Sequence, residues 1–317
     1  MDKAKAIKME RSFLKSDNFI LVAILIGIIV FFTTQSGVFL TPANGVNVLT
    51  QVTEIGMISI GMTFVLISGG MDLSVGSVVG ISGAVLGLTF NAGLNIWLCV
   101  LIVLGVGLLC GCLNGVLIAK LNNMPIFVSL GTMIFLRGMI FALTEGRPVS
   151  GFPKEFFFLG QGTIGPVPFN VIVLALMFFG GYFLLRHTWI GRYAYGMGNN
   201  DGAMRYTGIN VASFRFKTYL VNSFIASLAS VFMVSRLASA EANMGYNMEL
   251  DVLAAVLLGG TDIFGGKGNM IGTILGVMVI RVLRNGLNLM GVPSLYQIVI
   301  LGILIIVAVG RQRHVSE

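Results

Sequence analysis

Apolar runs with few charges recur along the whole chain, and they settle which solvent it folds in. Residues 19–39, 52–68, 76–92, 95–119, 125–143, 168–185, 214–235, 269–290 and 295–310 each read as one such run. About 20 apolar residues in a helix cross the hydrocarbon core of a bilayer. In that core every backbone N–H and C=O must be satisfied internally, which leaves helices or a closed barrel. A barrel is written as alternating segments of about 10 residues, and this sequence does not have that pattern. Only 10% of its 317 residues are charged, 56% are hydrophobic, and the mean hydropathy is +0.92, whereas a water-facing domain carries about 25% charged residues. The 42 glycines suit helices packed closely in a membrane. The fold class expected is an all-α integral membrane protein, with residues 1–317 forming a single transmembrane domain. A tenth apolar stretch, 250–260, is too short to cross as an ideal helix and reads as half-length, tilted or re-entrant.

Charge placement orients the spans. Residues 1–18 mix Lys3, Lys5, Lys8, Arg11 and Lys15 with Ile7, Phe13 and Leu14, as an interfacial cytosolic segment does. No small-residue cleavage site stands out after the first apolar run, so that run reads as a retained span. With both termini and residues 187–213 in the cytosol, 14 of the 20 basic residues face inward, as the positive-inside rule requires. Arg147, Lys154, Arg236, Arg281 and Arg284 fall on or near the outside, and Arg137 lies inside the fifth span. The net charge of +7 is therefore a topology signal and not a nucleic-acid footprint. Residues 145–167 read as an outer loop, with Phe156, Phe157 and Phe158 at the membrane interface.

The longest polar stretch, 187–213, contains Gly198-Asn199-Asn200-Asp201-Gly202-Ala203 and ends near Gly208. Asn199, Asn200 or Asp201 can cap a helix by accepting from unpaired backbone N–H groups, and Gly208 can end it after about two turns. A short helix is expected here, with Arg192, Arg205, Arg215 and Lys217 around it.

The chain also repeats itself. Gly69-Gly70-Met71-Asp72-Leu73 matches Gly259-Gly260-Thr261-Asp262-Ile263, and Gly76, Gly80 and Ala84 match Gly268, Gly272 and Gly276. The four-residue spacing is a small-residue stripe for helix contacts. Both copies begin on the cytosolic side, which predicts two parallel halves. Asp72 and Asp262, following their glycine pairs, are expected to cap the next helices.

Little in the sequence carries catalytic chemistry. A phosphate-binding loop needs GxxxxGK[S/T]. Thr261-Asp262-Ile263-Phe264-Gly265-Gly266-Lys267-Gly268 fails at its first and last positions and follows no strand. Cys99, Cys110 and Cys112 lie in one apolar run as small core residues. His187 and His314 are far apart and suggest no metal site. The polar residues within spans include Asn114, Arg137, Asn222, Asn285 and Asn288. A charge at mid-membrane costs about 2.5–3.5 kcal/mol on insertion scales, so Arg137 must face protein or water. Asn114, Arg137, Asn285 and Asn288 are candidates for lining a path or tying helices together.

With these residues in hand the chain resembles the membrane permease of ribose-type bacterial ATP-binding-cassette importers. IGMTFVLISGGMDLSVGS (60–77), FLRGM (135–139), the 187–211 loop, ELDVLAAVLLGGTDIFGGKG (249–268) and NGLNLMGVPSLYQ (285–297) carry the resemblance. Branched-chain amino-acid permeases share the architecture but differ at GGMDLSVGS. The family loop often reads GGNEAA, and here Asp201 and Gly202 replace its glutamate and first alanine. The resemblance implies a permease subunit in the bacterial inner membrane, with its path opened by alternating access. It implies a coupling helix at Asn199, Asn200, Asp201, Ala203 and Gly208 that docks on a separate ATPase subunit. It also implies a second permease subunit and a periplasmic or lipid-anchored sugar-binding protein. Arg147, Lys154 and Arg236 are then candidates for docking that binding protein. No cofactor is expected in this chain, since ATP and Mg would belong to the ATPase. The alternative is an ion-coupled secondary transporter of a small polar solute, which needs midplane carboxylates in broken helices. The sequence does not name the sugar.

Overall fold

The computed structural model describes residues 17–313, with side chains from 18 to 310. The N-terminal cationic segment proposed for 1–18 therefore falls almost wholly outside the described residues. In chain order the helices are α1 (Asp17–Gln35), α2 (Pro42–Ile67), α3 (Val75–Asn91), α4 (Ile96–Gly115), α5 (Pro125–Thr144), α6 (Lys154–Gln161), α7 (Phe169–His187), α8 (Trp189–Asn199), α9 (Asp201–Tyr206), α10 (Val211–Leu237), α11 (Met248–Leu258), α12 (Met270–Leu289) and α13 (Ser294–Arg313). A π-helical turn, Val116–Lys120, extends α4. Among the described helices seven are long and apolar enough to cross a membrane, and α3 and the Ser294–Gly310 part of α13 are shorter apolar helices.

Local chemistry sets the boundaries. Pro42 opens α2 at a position whose N–H has no helical partner, and the Thr41 side chain caps it. Pro125 opens α5 in the same way. α2 is the central helix, with nearly every residue from Val52 to Ile67 buried, whereas α1 lies at the rim. α4 packs extensively against α10. Gly107, Gly111 and Gly115 form a four-residue stripe on α4, and a Cβ at Gly111 would come within 2.7 Å of the Leu220 backbone.

The two ends of the bundle differ. One end carries α8, α9 and the turns 68–74 and 259–269. The other carries two short antiparallel strand pairs. β1 (Val149–Ser150) pairs with β4 (Ser239–Ala240), and β2 (Thr163–Ile164) pairs with β3 (Val167–Pro168). The stretch expected as a plain loop, 145–167, thus contains α6. Its Phe156 is fully buried against Phe152 rather than at an interface, while Phe158 is exposed. α6 is fastened to α10 through Ser235, whose hydroxyl accepts from Gly160 N–H at 2.8 Å and donates to Phe156 O at 2.6 Å.

The sequence repeat has a different structural register from the one its letters suggest. α2 and α11 both end in the same C-terminal motif, a six-to-one bond closing over a left-handed glycine. In the first copy Gly70 N–H donates to Val65 O and Gly69 has φ +75°. In the second, Thr261 N–H donates to Val256 O and Gly260 has φ +84°. The motifs are offset by one residue, so Asp72 and Asp262 do not occupy equivalent places.

Neither aspartate caps a helix, which corrects the expectation. Ser74 precedes α3 without a side-chain cap bond. Asn269 caps α12, with its side chain accepting from Gly272 N–H at 2.6 Å. Asp262 instead closes its own turn by accepting from Phe264 N–H at 2.9 Å.

The two glycine stripes do sit at contacts, and both close on one segment, residues 244–259. Gly76 faces the backbone of Gly245 and the carboxylate of Glu249, and Gly80 faces Met244 O. From the other side Gly276 faces Ala255 and Gly272 faces Gly259.

Candidate functional site

The polar groups inside the helices divide into ties between helices, a charged layer and an exposed end. Asp72 is the centre of the ties. It accepts from Ser74 N–H at 3.0 Å, Ser74 Oγ–H at 2.6 Å and Asn222 Nδ2 at 2.9 Å, and it is fully buried. Burial pushes its carboxyl above the usual carboxylate range, and the Ser74 and Asn222 hydrogen bonds pull it back. Asn114 extends the network, donating to Ser74 Oγ at 2.8 Å and accepting from Thr132 Oγ1 at 2.7 Å. Tyr219 clamps the same turn, accepting from Met71 N–H at 3.1 Å and donating to Met71 O at 3.0 Å. One broken strand of backbone is thus held by α4, α5 and α10.

Two other path candidates are ties as well. Asn285 forms a two-way amide pair with Asn44, both bonds 2.9 Å, joining α12 to the start of α2. Asn288 is exposed and accepts from Gln297 Nε2 at 2.7 Å, joining α12 to α13. Arg137, the fourth, is half-buried against the segment that precedes α11. Its Nη1 donates to Met244 O at 2.9 Å, and its guanidinium lies 5.4 Å from the centroid of the exposed Tyr246 ring.

The charged layer lies toward the strand-bearing end. Arg236 makes a bidentate pair with the buried Glu54, Nε to Oε1 at 2.6 Å and Nη2 to Oε2 at 3.2 Å. Arg284 pairs with the buried Asp251. Arg281 and Arg284 lie within α12, inside the run read as a span, and Arg284 is neutralised by Asp251 of α11. Arg236 is therefore not a free docking charge. Arg147 pairs at 3.1 Å with Glu145 in full solvent exposure, and Lys154 is exposed at the start of α6. Glu54 and Asp251 escaped the sequence reading. A carboxylate inside an apolar run, matched by arginines elsewhere in spans, was the available signal.

At the other end, residues 187–213 form two helices rather than one. Thr188 caps α8. Asn200 is the cap of α9, its side chain accepting from Ala203 N–H at 2.9 Å. Asn199 donates to Tyr195 O at 2.8 Å and closes α8 instead. Asp201 is the first helical residue and pairs with Arg215 of α10 at 2.6 Å. Gly208, φ +82°, ends the turn after α9. No α9 residue is buried, and Gly202, Ala203, Arg205 and Tyr206 are exposed. A cleft of about 440 Å³ beside it is lined by Lys120, Asn122, Arg205 and Asn210.

α8 ends on both glycine turns. Gly266 N–H donates to Ile67 O at 2.9 Å, Tyr195 Oη–H donates to Gly268 O at 2.8 Å, and Gly69 and Gly198 approach backbone to backbone. A Cβ at Gly265 would lie 2.8 Å from Gly69 and 3.0 Å from Gly198.

The described residues thus form a multi-pass helical bundle with an exposed, capped short helix at one end and interior polar ties. The chain belongs to the family described as branched-chain amino acid transport system / permease component, whose model matches residues 44–309. It is 36% identical over 310 residues to the ribose import permease protein RbsC of Haemophilus influenzae, covering 96% of this chain and 95% of that one. It is 38% identical over 293 residues to the protein of that name from Escherichia coli K12, covering 91% of each. It is 33% identical over 309 residues to the D-allose transport system permease protein AlsC of the same strain, covering 96% and 93%. No solved structure matches. The resemblance to ribose-type permeases seen in the sequence therefore stands.

Proposed function

We propose that this chain is the permease subunit of an ATP-driven, binding-protein-dependent importer of a monosaccharide, and that it forms the translocation path by alternating access. The observation that carries the reading is the similarity to ribose import permeases over more than nine-tenths of both chains. ATP hydrolysis, with its Mg, belongs to a separate ATPase subunit, and α9 is the contact through which it acts. A second permease subunit completes the path, and a periplasmic or lipid-anchored binding protein delivers the sugar.

The same reading gives ten segments, counting α3, α11 and α13, in two parallel halves, with both termini in the cytosol. Lys120, Arg186, Arg192, Arg205, Arg215, Lys217 and Lys267 lie on segments at the α8–α9 end, which supports placing that end inside. The offset between the two glycine motifs means that the halves are related in design but not superimposable in their turns.

The test is uptake by purified protein in liposomes. Ribose should enter only when the ATPase subunit, internal ATP and a loaded binding protein are all present. Uptake by the permease alone, driven by an ion gradient, would establish the secondary-transport alternative instead.

A further inference from the structure

Residues 241–247, between β4 and α11, form an irregular strap with no helix of their own. Their depth follows from the helices around them. α11 has 11 residues, so it rises only about 16 Å from the turn at Gly259–Gly260. Arg137 is 12 residues along α5 from Pro125, about 18 Å from the same end. Both place Tyr246, Glu249 and Arg137 near the middle of a hydrocarbon core about 30 Å thick. Irregular backbone at that depth persists only where protein covers it or water reaches it. Here Glu241, Asn243 and Tyr246 are exposed, and Tyr246 retains 67% of its surface. Lipid tails cannot satisfy those groups.

The site beneath has unused hydrogen-bonding capacity. Glu249 is 93% buried (7% exposed), yet its Oε2 has no protein partner, and Arg137 Nη2 has none either. They are side by side. Glu249 faces Gly76 and Arg137 faces Gly80, one turn apart on α3, and the strap carbonyls of Gly245 and Met244 lie against the same two glycines. Neither glycine tolerates a side chain, so the stripe on α3 makes room for a carboxylate and a guanidinium. The Tyr246 ring lies over that guanidinium and turns toward the open side.

We propose that Arg137, Glu249 and Tyr246, with Asn243 at the rim, form a contact site for the sugar as it crosses. The Tyr246 ring presents an aromatic face to the apolar face of the sugar, and the unpartnered Glu249 Oε2 and Arg137 Nη2 buried beneath it supply one acceptor and one donor to hydroxyl groups once the site opens. It deepens the import reading and rests on it.

The experiment has two arms. In the first, a Tyr246→Cys permease in the assembled importer is treated with a charged, membrane-impermeant thiol reagent, with wild type in parallel as the background from Cys99, Cys110 and Cys112. Labelling above that background is expected, and its absence would overturn the placement in a water-filled path. In the second arm, uptake of D-ribose, D-allose and D-fructose is compared for wild type, Tyr246→Ala, Glu249→Gln and Arg137→Lys. Loss of the ring contact should reduce uptake of the preferred sugar about tenfold, the equivalent of an aromatic contact of about 1.4 kcal/mol. The ratios between sugars should change as well. A purely structural role would lower all three in proportion, and that outcome would overturn the site. Since Tyr246 is exposed, Tyr246→Ala separates contact from folding. Wild type that imports none of the three would remove these sugars as the occupant, while the labelling arm still decides whether water reaches the strap.

Discussion

Arg236→Met should unfold the protein more readily, not merely weaken its capture of a partner. The guanidinium makes two hydrogen bonds to Glu54, whose side chain is 4% exposed. Removing it leaves a carboxylate enclosed by α2 and α10 with no counterion at hydrogen-bond distance. Breaking one side of a buried pair costs about 3–5 kcal/mol. The Arg236 side chain is itself 23% exposed, so water entering the gap offsets part of this and the loss falls near the lower end, about 3 kcal/mol. The apparent melting temperature should drop by about 5–10 °C. Cys99 and Cys110 are buried, so a dye that fluoresces on reacting with thiols reports unfolding of the detergent-purified protein directly. The double variant Glu54→Leu/Arg236→Met should recover to within about 1 kcal/mol of wild type, because it removes both charges together. If Arg236→Met melts within about 2 °C of wild type, and its defect appears only as salt-sensitive loss of binding-protein capture, the pairing argument is wrong and Arg236 is a docking residue.

Three further outcomes follow from the packing and the exposed helix. Gly272→Leu drives a side chain into the Gly259 backbone and should abolish assembly, while Gly138→Leu, with no neighbour within 4 Å of its Cβ, should assemble normally, as membrane yield and gel filtration will show. Ala203→Trp should leave the permease inserted but make ATP hydrolysis unresponsive to the loaded binding protein; normal uptake by this variant, together with no crosslink from Ala203→Cys to the ATPase subunit, would show that α9 is only a connection. Asn200→Ala removes the α9 cap at about 1 kcal/mol and should weaken that coupling partially, read as a lower ratio of stimulated to basal ATPase rate.

The helices were legible because the bilayer demands length and apolarity, and prolines such as Pro42 and Pro125 mark starts that sequence rules recognise. The short helix after Asn200 was legible for the same kind of local reason, a cap and a terminating glycine within one stretch. What was not legible depends on partners distant in the chain. Asp72 looked like a cap because it follows a glycine pair, but Asn222 completes its hydrogen bonding, and nothing in the local sequence announces that bond. Arg236 looked like a free outer charge because Glu54 is 182 residues away. The glycine stripes were rightly read as close contacts, but their object, the strap at 241–247 and the helix after it, is not announced by any matching pattern in the sequence. The repeated GG motif hid its one-residue offset, since the left-handed position is Gly69 in one copy and Gly260 in the other.

The junction of Gly69, Gly198 and Gly265 constrains how such proteins can be exchanged or recombined. Three segments more than sixty residues apart in sequence meet there through backbone alone, with no side chain to trim or enlarge as compensation. A graft that transplants residues 187–213 from a relative to change the matching ATPase would import its own backbone path into a slot shaped by two other turns. Residues 67–70 and 264–266 therefore form one unit of inheritance with the loop, and a functional chimera has to carry all three.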